Sequence, residues 1–499
     1  MIPFRPSAPS LRSGLRAVRY AGLGLALTTA AVLLTGCASL RTKYERPKVA
    51  LPEAYSQAAG SASAIPDAWW KLFADPNLDR LVDEALGANQ DLAAAAARVE
   101  EARALAGFAR AEQFPEIDAN GGASRTRFSN ASGQFPPGVP LEFDSFRTTV
   151  GISYEFDFWG RYRRATEAAR AELLATEEGQ RNIRLALASE IATAWFDLLS
   201  FDAQLAIARD TLGTRGESVR LQKARYDAGT ISELDLAQAQ SEVASTEATV
   251  PALHRAIRQT ENRLNVLLGR IGGSIDHAGS SLESPTLPEV PVGLPSQLLV
   301  RRPDLVAAEQ RLIAADARIG IARAAYFPSI SLTGYAGSES TDLADLFGSG
   351  TGIWQAALGV LQPIWNAGRT RRQVEAATAR EHQAEAVYQK SIQTAFAEVE
   401  DALVARSTGI EEREARARQV EALGRARNLA DIRYDAGESS YFEVLDAQRS
   451  QFLAQITWTQ VRRDELVAAV ALFKALGGGW EEPAKSEPAA TAEASAPTP

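Results

Sequence analysis

Cysteine and histidine are almost absent from this chain of 499 residues. Cys37 is the only cysteine, which excludes internal disulfides, thiolate zinc sites and iron–sulfur clusters. The three histidines, His254, His277 and His382, lie far apart in sequence, and this argues against a histidine metal site or a serine–histidine triad. We therefore predict that the protein is not an enzyme and that it binds no cofactor or metal ion.

Basic residues are outnumbered by acidic residues, 53 to 62, and the formal net charge is −9. An acidic chain is repelled by the phosphate backbone of nucleic acids. We therefore predict that nucleic acid is not a partner.

The first 36 residues have the pattern of a secretory signal peptide. Four arginines and no acid precede an apolar run at 20–34 that is too short for a comfortable membrane span. The Leu-Thr-Gly-Cys sequence at 34–37 resembles the bacterial lipobox, in which the cysteine is acylated and becomes the mature N-terminus. The lipobox resemblance implies lipidation of Cys37, and Ala38 in place of Asp implies sorting to the outer membrane. An incidental or buried cysteine is the alternative.

The chain contains one structural unit written twice. Residues 91–115 align without a gap on residues 304–328, with 13 of 25 positions identical. The sequence Arg-Tyr-Asp-Ala-Gly at 225–229 returns at 433–437. Chance similarity between alanine-rich helices would not keep such landmarks in order, so we predict an internal duplication.

Two long stretches without proline, 141–250 and 364–482, predict long helices. A helix over about 160–226 would run roughly 100 Å. Its apolar residues alternate by four and three, which is the heptad pattern of a coiled coil: Leu187, Ile191, Ala194, Leu198, Phe201, Leu205, Ala208 and Leu212. The second stretch places Arg406 and Arg413 on the corresponding seam, so its pattern is weaker.

Each long helix is predicted to end in a tight turn. Gly229 can take the left-handed conformation that stops a helix, and Ser232 with Asp235 forms a capping-box pattern that starts the next one. The second copy repeats the pattern with Gly437, Ser440 and Glu443. We therefore expect two helical hairpins with tight tips.

Four segments predict β-strands, one pair in each half. From Phe146 to Phe158 apolar and polar residues alternate over a length that can cross a bilayer at a tilt. The other three segments, about 115–128, 329–338 and 352–364, alternate less cleanly. Aromatic residues at the predicted strand ends suit a membrane interface: Trp159, Tyr335, Trp354 and Trp365. A soluble sandwich strand is the alternative for any single segment, but the lipid anchor favours membrane strands.

Four membrane strands cannot stand alone. Backbone groups at an open sheet edge cannot stay unpaired in lipid, so the strands must close into a barrel. The smallest ordinary barrel has about eight strands. The chain must therefore supply part of a barrel to a homo-oligomer, and this argument leaves dimer, trimer and tetramer open.

The combined pattern resembles the TolC-like outer membrane factors, more closely the lipoprotein branch that serves resistance-nodulation-division efflux pumps. The motifs that carry the resemblance are Trp-Trp-Lys-Leu-Phe-Ala-Asp-Pro at 69–76, Leu-Pro-Ser-Gln-Leu-Leu at 294–299, Arg-Arg-Pro-Asp at 301–304, the Phe-Pro-x-Ile sequences at 114–117 and 327–330, the two Arg-Tyr-Asp-Ala-Gly turns, and Val-Leu-Asp-Ala-Gln-Arg at 444–449. The resemblance covers residues 37 to 480.

The resemblance implies an α+β membrane protein. In this fold, three chains build a twelve-stranded β-barrel, four strands each, that continues into a long periplasmic α-helical barrel. It also implies an outer-membrane channel that passively conducts substrates in a tripartite efflux system, with outer-membrane lipid, a periplasmic adaptor and an inner-membrane pump as partners.

Two groups of residues acquire roles from the resemblance. The adaptor is expected to contact the hairpin tips: Arg225, Tyr226, Asp227, Gly229, Arg433, Tyr434, Asp435 and Gly437. The periplasmic aperture is expected at Phe442, Asp446 and Arg449, where three copies of Asp446 would form an acidic ring that favours cations over anions. A solvated charge near a helix start is the alternative role for Asp446.

The predicted organisation runs from one terminus to the other as follows: a lipoprotein signal peptide at 1–36, a lipidated linker at 37–66, a first repeat at 67–284, an inter-repeat linker at 285–303, a second repeat at 304–480 and a disordered tail at 481–499. The first repeat holds a strand pair at about 115–158 and a hairpin at about 160–269. The second holds a strand pair at about 328–365 and a hairpin at about 366–476. The alternative function is an outer-membrane-anchored periplasmic coiled-coil adaptor or scaffold lipoprotein, which would share the anchor and the heptads but would not need four membrane-length strands.

Overall fold

The structure is a computed structural model that describes residues 44–52, 54–55, 65–129, 131, 136, 138–290 and 295–479. The predicted signal peptide, Cys37 and the predicted tail lie outside the described residues. Contacts divide the chain into two compact units, each of which takes segments from both sequence repeats. Among the described residues, the first unit takes those within 44–47, 101–174 and 310–386, and the second takes those within 48–100, 175–309 and 387–479.

Seven helices of two turns or more and four strands follow one another in the described part of the chain. The first repeat holds α1 (Pro76–Ala88), α2 (Gln90–Ala111), β1 (Glu116–Arg127), β2 (Glu142–Glu155), α3 (Arg161–Asp227) and α4 (Glu233–Leu267). The second repeat holds α5 (Pro303–Ala324), β3 (Ser329–Ser340), β4 (Gly352–Leu361), α6 (Arg369–Asp435) and α7 (Tyr441–Ala475). Helices α3 and α6 each have 67 residues and α4 and α7 each have 35, so the predicted duplication extends to helix length.

The first unit contains a single four-stranded antiparallel sheet in the order β1, β2, β3, β4. Its register aligns residues of like polarity across the strands. Ile152 of β2 pairs with Ile117 of β1 and Gly334 of β3, whereas its neighbour Ser153 pairs with Glu116 and Thr333. Because successive side chains alternate between faces, one face of the sheet is apolar and the other is polar.

The apolar face of the sheet is exposed in the single chain. Side chains on it include Ile117, Val150, Trp354, Leu358 and Val360, whose exposed fractions run from 57 to 79%. Within the described residues β1 and β4 each pair on one side only. An exposed apolar face with two open edges is the arrangement expected of a segment of membrane barrel wall.

The strand boundaries differ from the predicted ones at β2. This strand begins at Glu142, four residues earlier than Phe146, because Glu142 pairs with Arg127 of β1. It ends at Glu155, and Asp157 then accepts hydrogen bonds from the backbone N–H groups of Tyr162 (3.3 Å) and Arg163 (2.9 Å) at the start of α3.

Two of the four predicted interfacial aromatic residues contact other residues of the chain. Trp159 donates a hydrogen bond to the Pro328 carbonyl (2.6 Å) and is half-buried, and Tyr335 lies on the polar face under Arg147. Trp354 and Trp365 remain exposed, at 79 and 86%.

The core of the second unit is built around the tryptophan-rich motif at 69–76. The Trp69 ring stacks on Phe473 of α7 (5.1 Å), and Phe73 packs on Phe196 of α3 (5.2 Å). Asp75 caps α1 through the Asn77 N–H (2.9 Å) and also accepts a hydrogen bond from the Trp195 indole (2.7 Å). These contacts explain why the motif has this composition.

The Arg-Arg-Pro-Asp motif joins three helices of the second unit. The Arg302 guanidinium donates to Asp304 at the start of α5 (2.7 Å) and to the Ala475 carbonyl at the end of α7 (2.9 Å). It also pairs with Glu398 of α6 (2.7 Å). One nearly buried arginine therefore fixes the start of α5 and the end of α7 to the middle of α6.

The seam arginines of α6 meet a buried acid. The Glu465 carboxylate of α7 accepts a hydrogen bond from Arg462 (2.6 Å), and Arg413 approaches its second oxygen at 3.2 Å. Arg462 also donates to the Pro285 carbonyl (2.9 Å). Burial lowers the pKa of the neighbouring Arg406, and Glu289 and Glu465 oppose this effect. The interrupted heptad is therefore a site of charge pairing between α6, α7 and the inter-repeat linker.

Among the helices that the structure describes, α3 alone contains an 18-residue stretch that is apolar enough to cross a membrane, and 61% of that stretch is buried inside the protein. The seam residues Ile191, Ala194 and Leu198 are fully buried. We therefore assign this stretch to the protein core.

Candidate channel aperture and hairpin tips

The first hairpin tip is closed by the predicted backbone turn and cap. Gly229 has φ of +71°, and the Thr230 N–H donates to the Arg225 carbonyl (2.9 Å) as in a Schellman turn. Ser232 then starts α4, and its hydroxyl accepts from the Asp235 N–H (3.2 Å) while the Asp235 carboxylate accepts from the Ser232 N–H (3.2 Å). The predicted capping box is confirmed here.

The second tip repeats the turn but not the capping box. Gly437 has φ of +75°, and the Glu438 N–H donates to the Arg433 carbonyl (2.9 Å). Ser440 stands at the N-cap of α7, but its side chain makes no capping hydrogen bond. The prediction of a second capping box with Glu443 is therefore wrong, because the serine hydroxyl does not accept from the first turn.

The structure brings the predicted residues of the two tips together. The Arg225 guanidinium lies 5.2 Å from the centre of the Tyr434 ring and 3.9 Å from the Asp435 carboxylate. The Tyr434 hydroxyl is 3.3 Å from the Gln222 amide oxygen. The other predicted tip residues face solvent: Tyr226, Asp227, Arg433 and the two glycines.

A small apolar cluster that sequence reasoning missed lies behind these contacts. Tyr441, Val444 and Leu445 of α7 are buried against Ala239 of α4. Burial raises the pKa of the Tyr441 hydroxyl. The available signal was the apolar spacing at 441, 444 and 445, which puts these residues on one side of α7.

The three predicted aperture residues occupy the exposed side of α7. Phe442 is 57% exposed, although a phenylalanine usually lies in the core. One turn further, the Arg449 guanidinium donates to the Asp446 carboxylate (2.6 Å), and both side chains are about half exposed. The structure therefore displays an aromatic ring and an ion pair on one side of the helix.

The ion pair changes the electrostatics predicted for Asp446. A ring of three unpaired carboxylates would favour cations, but each Asp446 has a guanidinium of its own chain in contact. Opposite charges within hydrogen-bond distance cancel most of their far field. Asp446 and Arg449 therefore offset each other's charge on this side of α7.

No group of three or more histidine, aspartate or glutamate side chains in the described part of the chain is placed to hold a metal ion. His277, in the loop after α4, lies 2.6 Å from the Asp202 carboxylate of α3.

Comparison with known proteins agrees with this geometry. The profile of the outer membrane efflux protein family matches residues 81–270 and 294–478, once in each repeat. The chain is 40% identical to the solvent efflux pump outer membrane protein SrpC of Pseudomonas putida over 460 residues, which is 90% of this chain and 97% of SrpC. It is 36% identical to the probable outer membrane lipoprotein SilC of Salmonella typhimurium over 455 residues, again 90% and 97%.

A solved structure of the open state of the MtrE outer membrane channel of Neisseria gonorrhoeae has the same fold. Its TM-score is 0.79 at 32% identity, over 88% of this chain and 98% of MtrE. The predicted fold class, a trimeric channel with four strands per chain and a helical barrel, is thereby confirmed. The predicted role as the outer-membrane channel component of a tripartite efflux system is also confirmed, and with it the outer-membrane location and a role in transport. The chain belongs to the outer membrane efflux protein family.

Proposed function

We propose that the chain forms a gated channel whose periplasmic aperture is formed by Phe442, Asp446 and Arg449. It docks a periplasmic adaptor through its two hairpin tips, delivers substrates taken up by an inner-membrane pump, and is anchored in outer-membrane lipid through Cys37. The gate is supported by one observation: the Phe442 ring and the Asp446–Arg449 ion pair are exposed on one side of α7. A side chain that is exposed in one chain can meet its two symmetry mates around a central axis.

The gate is tested by conductance. Purified trimers of the full mature chain are placed in planar bilayers, and Phe442→Ala and Asp446→Ala are compared with the parent protein. We expect higher conductance or a larger open fraction in both variants, because a bulky ring and a hydrogen-bonded pair are removed. Unchanged gating and unchanged ion preference in both variants would contradict the aperture assignment.

The docking role of the tips is supported by their accessibility and charge. A Cβ atom placed on Gly229 or Gly437 would meet no atom within 4 Å, so the tips are unobstructed in the described structure. The side chains of Asp227 and Asp435 are 57 and 72% exposed. Charged groups at such a surface set the association rate and the choice of partner.

Charge reversal at the tips tests the docking. Asp227→Lys and Asp435→Lys are expressed in cells that lack the parental channel and contain its cognate pump and adaptor. We expect efflux to fail while conductance of the isolated trimer stays normal. Glu217→Lys is the matched control, because this side chain is 76% exposed on the same long helix but away from the tip. Efflux at the parental level with both tip variants would contradict the docking site.

The lipid anchor is supported by the lipobox and by SilC, which is named a lipoprotein. Cys37→Ser removes the thiol that the acyl transfer requires. We expect the parent chain to incorporate labelled palmitate and the variant to incorporate none. Equal incorporation in both would show that Cys37 is not the anchor. Because the barrel itself is embedded in the membrane, the variant protein should still resist extraction, whereas a scaffold held only by acyl chains would be released.

A further inference from the structure

A buried arginine of α3 lies against α7. Arg215 of α3 is 4% exposed, which is unusual for a residue type that is rarely buried. Its Nη1 donates to the Thr246 hydroxyl (2.6 Å) and to the Glu242 carbonyl (3.0 Å), and the Glu242 carboxylate is also 3.0 Å away. One nitrogen of the guanidinium therefore ties α3 to α4.

The rest of the Arg215 guanidinium faces α7. Its Cζ lies 5.6 Å from the centre of the Phe452 ring, within the range of a cation–π contact. Nε and Nη2 have no hydrogen-bond partner among the described residues, and the same holds for Oε1 of Gln448, one turn before Phe452. Arg215, Gln448 and Phe452 all line one small cavity of about 50 Å³ between α3, α6 and α7.

The Nε and Nη2 donors of Arg215 and the Oε1 acceptor of Gln448 could hydrogen-bond to one another. A buried polar atom without a partner costs about 1 to 3 kcal/mol, more where it is charged. A small movement of α7 that brings Gln448 to Arg215 would remove this cost on both sides. The hydrogen bonding of Arg215 and Gln448 therefore depends on the distance between α3 and α7.

The position of α7 also decides where the aperture side chains lie. Successive residues of a helix are about 100° apart, so Gln448 projects at least about 100° away from Phe442, Asp446 and Arg449, whereas Phe452 lies about 60° from Arg449. Gln448 is buried and Phe452 half-buried, whereas the aperture residues are exposed. Because a helix moves as a rigid element, a contact on one side sets the orientation of the other.

We propose that Arg215 is a positioning residue for the aperture: its contacts with Phe452 and Gln448 hold α7 against the α3–α4 hairpin and so fix the orientation of Phe442, Asp446 and Arg449. This inference rests on the proposed aperture. Arg215 is buried and acts on the aperture through α7, and the positive charge of Arg449 also acts on it directly.

Single-channel recording of the purified full trimer tests the proposal. The variants are Phe452→Leu, which keeps an apolar side chain but removes the ring, and Arg215→Met, which keeps the length but removes the charge. We expect each to change the ratio of open to closed time about tenfold. The double variant should change it no more than the stronger single variant, because both remove the same contact. Arg215→Lys should restore part of the parental ratio.

Arg220→Met is the matched control, because Arg220 lies on α3 with its side chain 76% exposed and pairs only within the helix, with Glu217. It should leave gating unchanged. Parental gating in both Phe452→Leu and Arg215→Met would overturn the proposal, as would additive effects in the double variant. If Arg215→Met does not assemble as a trimer, Phe452→Leu and Gln448→Ala decide, since neither leaves a charge without a partner.

The outcomes separate this inference from the aperture itself. If Asp446→Ala changes gating and Phe452→Leu does not, the aperture stands and the role of Arg215 fails. If neither Phe442→Ala nor Asp446→Ala changes gating, the aperture fails whatever the Arg215 variants do.

Discussion

Glu465 offers the sharpest test of the packing in the second unit. Its side chain is fully buried and holds Arg462, whose side chain is 9% exposed, through a hydrogen bond of 2.6 Å. Glu465→Gln keeps the volume of the side chain, so no cavity is made, but it leaves a buried guanidinium with only the Pro285 carbonyl as a strong acceptor. We expect a clear loss of stability.

The magnitude follows from this environment. Breaking a buried ion pair from one side typically costs about 3 to 5 kcal/mol. The glutamine oxygen can still accept one hydrogen bond, so we expect the lower end, about 3 kcal/mol. Arg413 adds little because its side chain is 37% exposed and water screens its charge. For a folded unit of this size that loss corresponds to a thermal midpoint lowered by roughly 5 °C.

The assay is thermal unfolding of the trimer in one detergent, followed by circular dichroism. Glu412→Gln is the control, because it makes the same chemical change in an exposed ion pair. Glu412 pairs with Arg416, and the Glu412 side chain is 51% exposed. It should cost less than about 1 kcal/mol. The double variant Arg462→Met with Glu465→Leu should recover most of the loss, because a buried pair can often be replaced by apolar side chains without cost. Equal midpoints for Glu465→Gln and Glu412→Gln would refute the reasoning.

Three further predictions address the aperture, the tips and the sheet. Arg449→Gln removes the positive charge that pairs with Asp446, so the reversal potential in a salt gradient should move toward stronger cation preference. Asp446→Asn removes the negative charge and should move the reversal potential toward anion preference. A shift of the same sign in both variants would contradict the opposing effects of the two charges. Ser232→Ala should cost about 1 kcal/mol in thermal unfolding because it removes a cap, whereas Ser440→Ala should cost almost nothing, and equal losses would contradict the difference between the tips. Ile152→Arg should impair membrane assembly by up to about 2 to 4 kcal/mol near the bilayer midplane, as seen in heat-resistant trimer on gels, while its neighbour Ser153→Arg on the polar face assembles normally.

The sequence predicts the elements of this fold well because they are repeated. The Gly229 and Gly437 turns lie where the left-handed conformation was expected, and the long helices end within a residue or two of the predicted positions. Because each helix and turn occurs twice in the sequence, its position can be predicted from two copies of the same pattern. The strands were predicted less accurately at their ends, because the start of β2 depends on cross-strand pairing with β1, which no local pattern encodes.

Charge pairing shows where prediction from sequence ends. Asp446 and Arg449 are three residues apart on a helix, so their contact follows from spacing alone and could have been predicted. The contact between Arg413 and Glu465 could not, because it depends on the register between two antiparallel helices. Arg215 gave no signal either: its partners on α4 and α7 lie 27 residues or more away in sequence.

The two hairpins of each chain have the same length but different chemistry. The positions in α4 that correspond to Phe442, Asp446 and Arg449 are occupied by Leu234, Gln238 and Ser241, so the first copy has neither the aromatic ring nor the ion pair. Likewise, Arg215 of α3 corresponds to Leu423 of α6. The side chains of the proposed aperture therefore have no counterpart in the first hairpin, and Arg215, which we propose positions them, has no counterpart in the second.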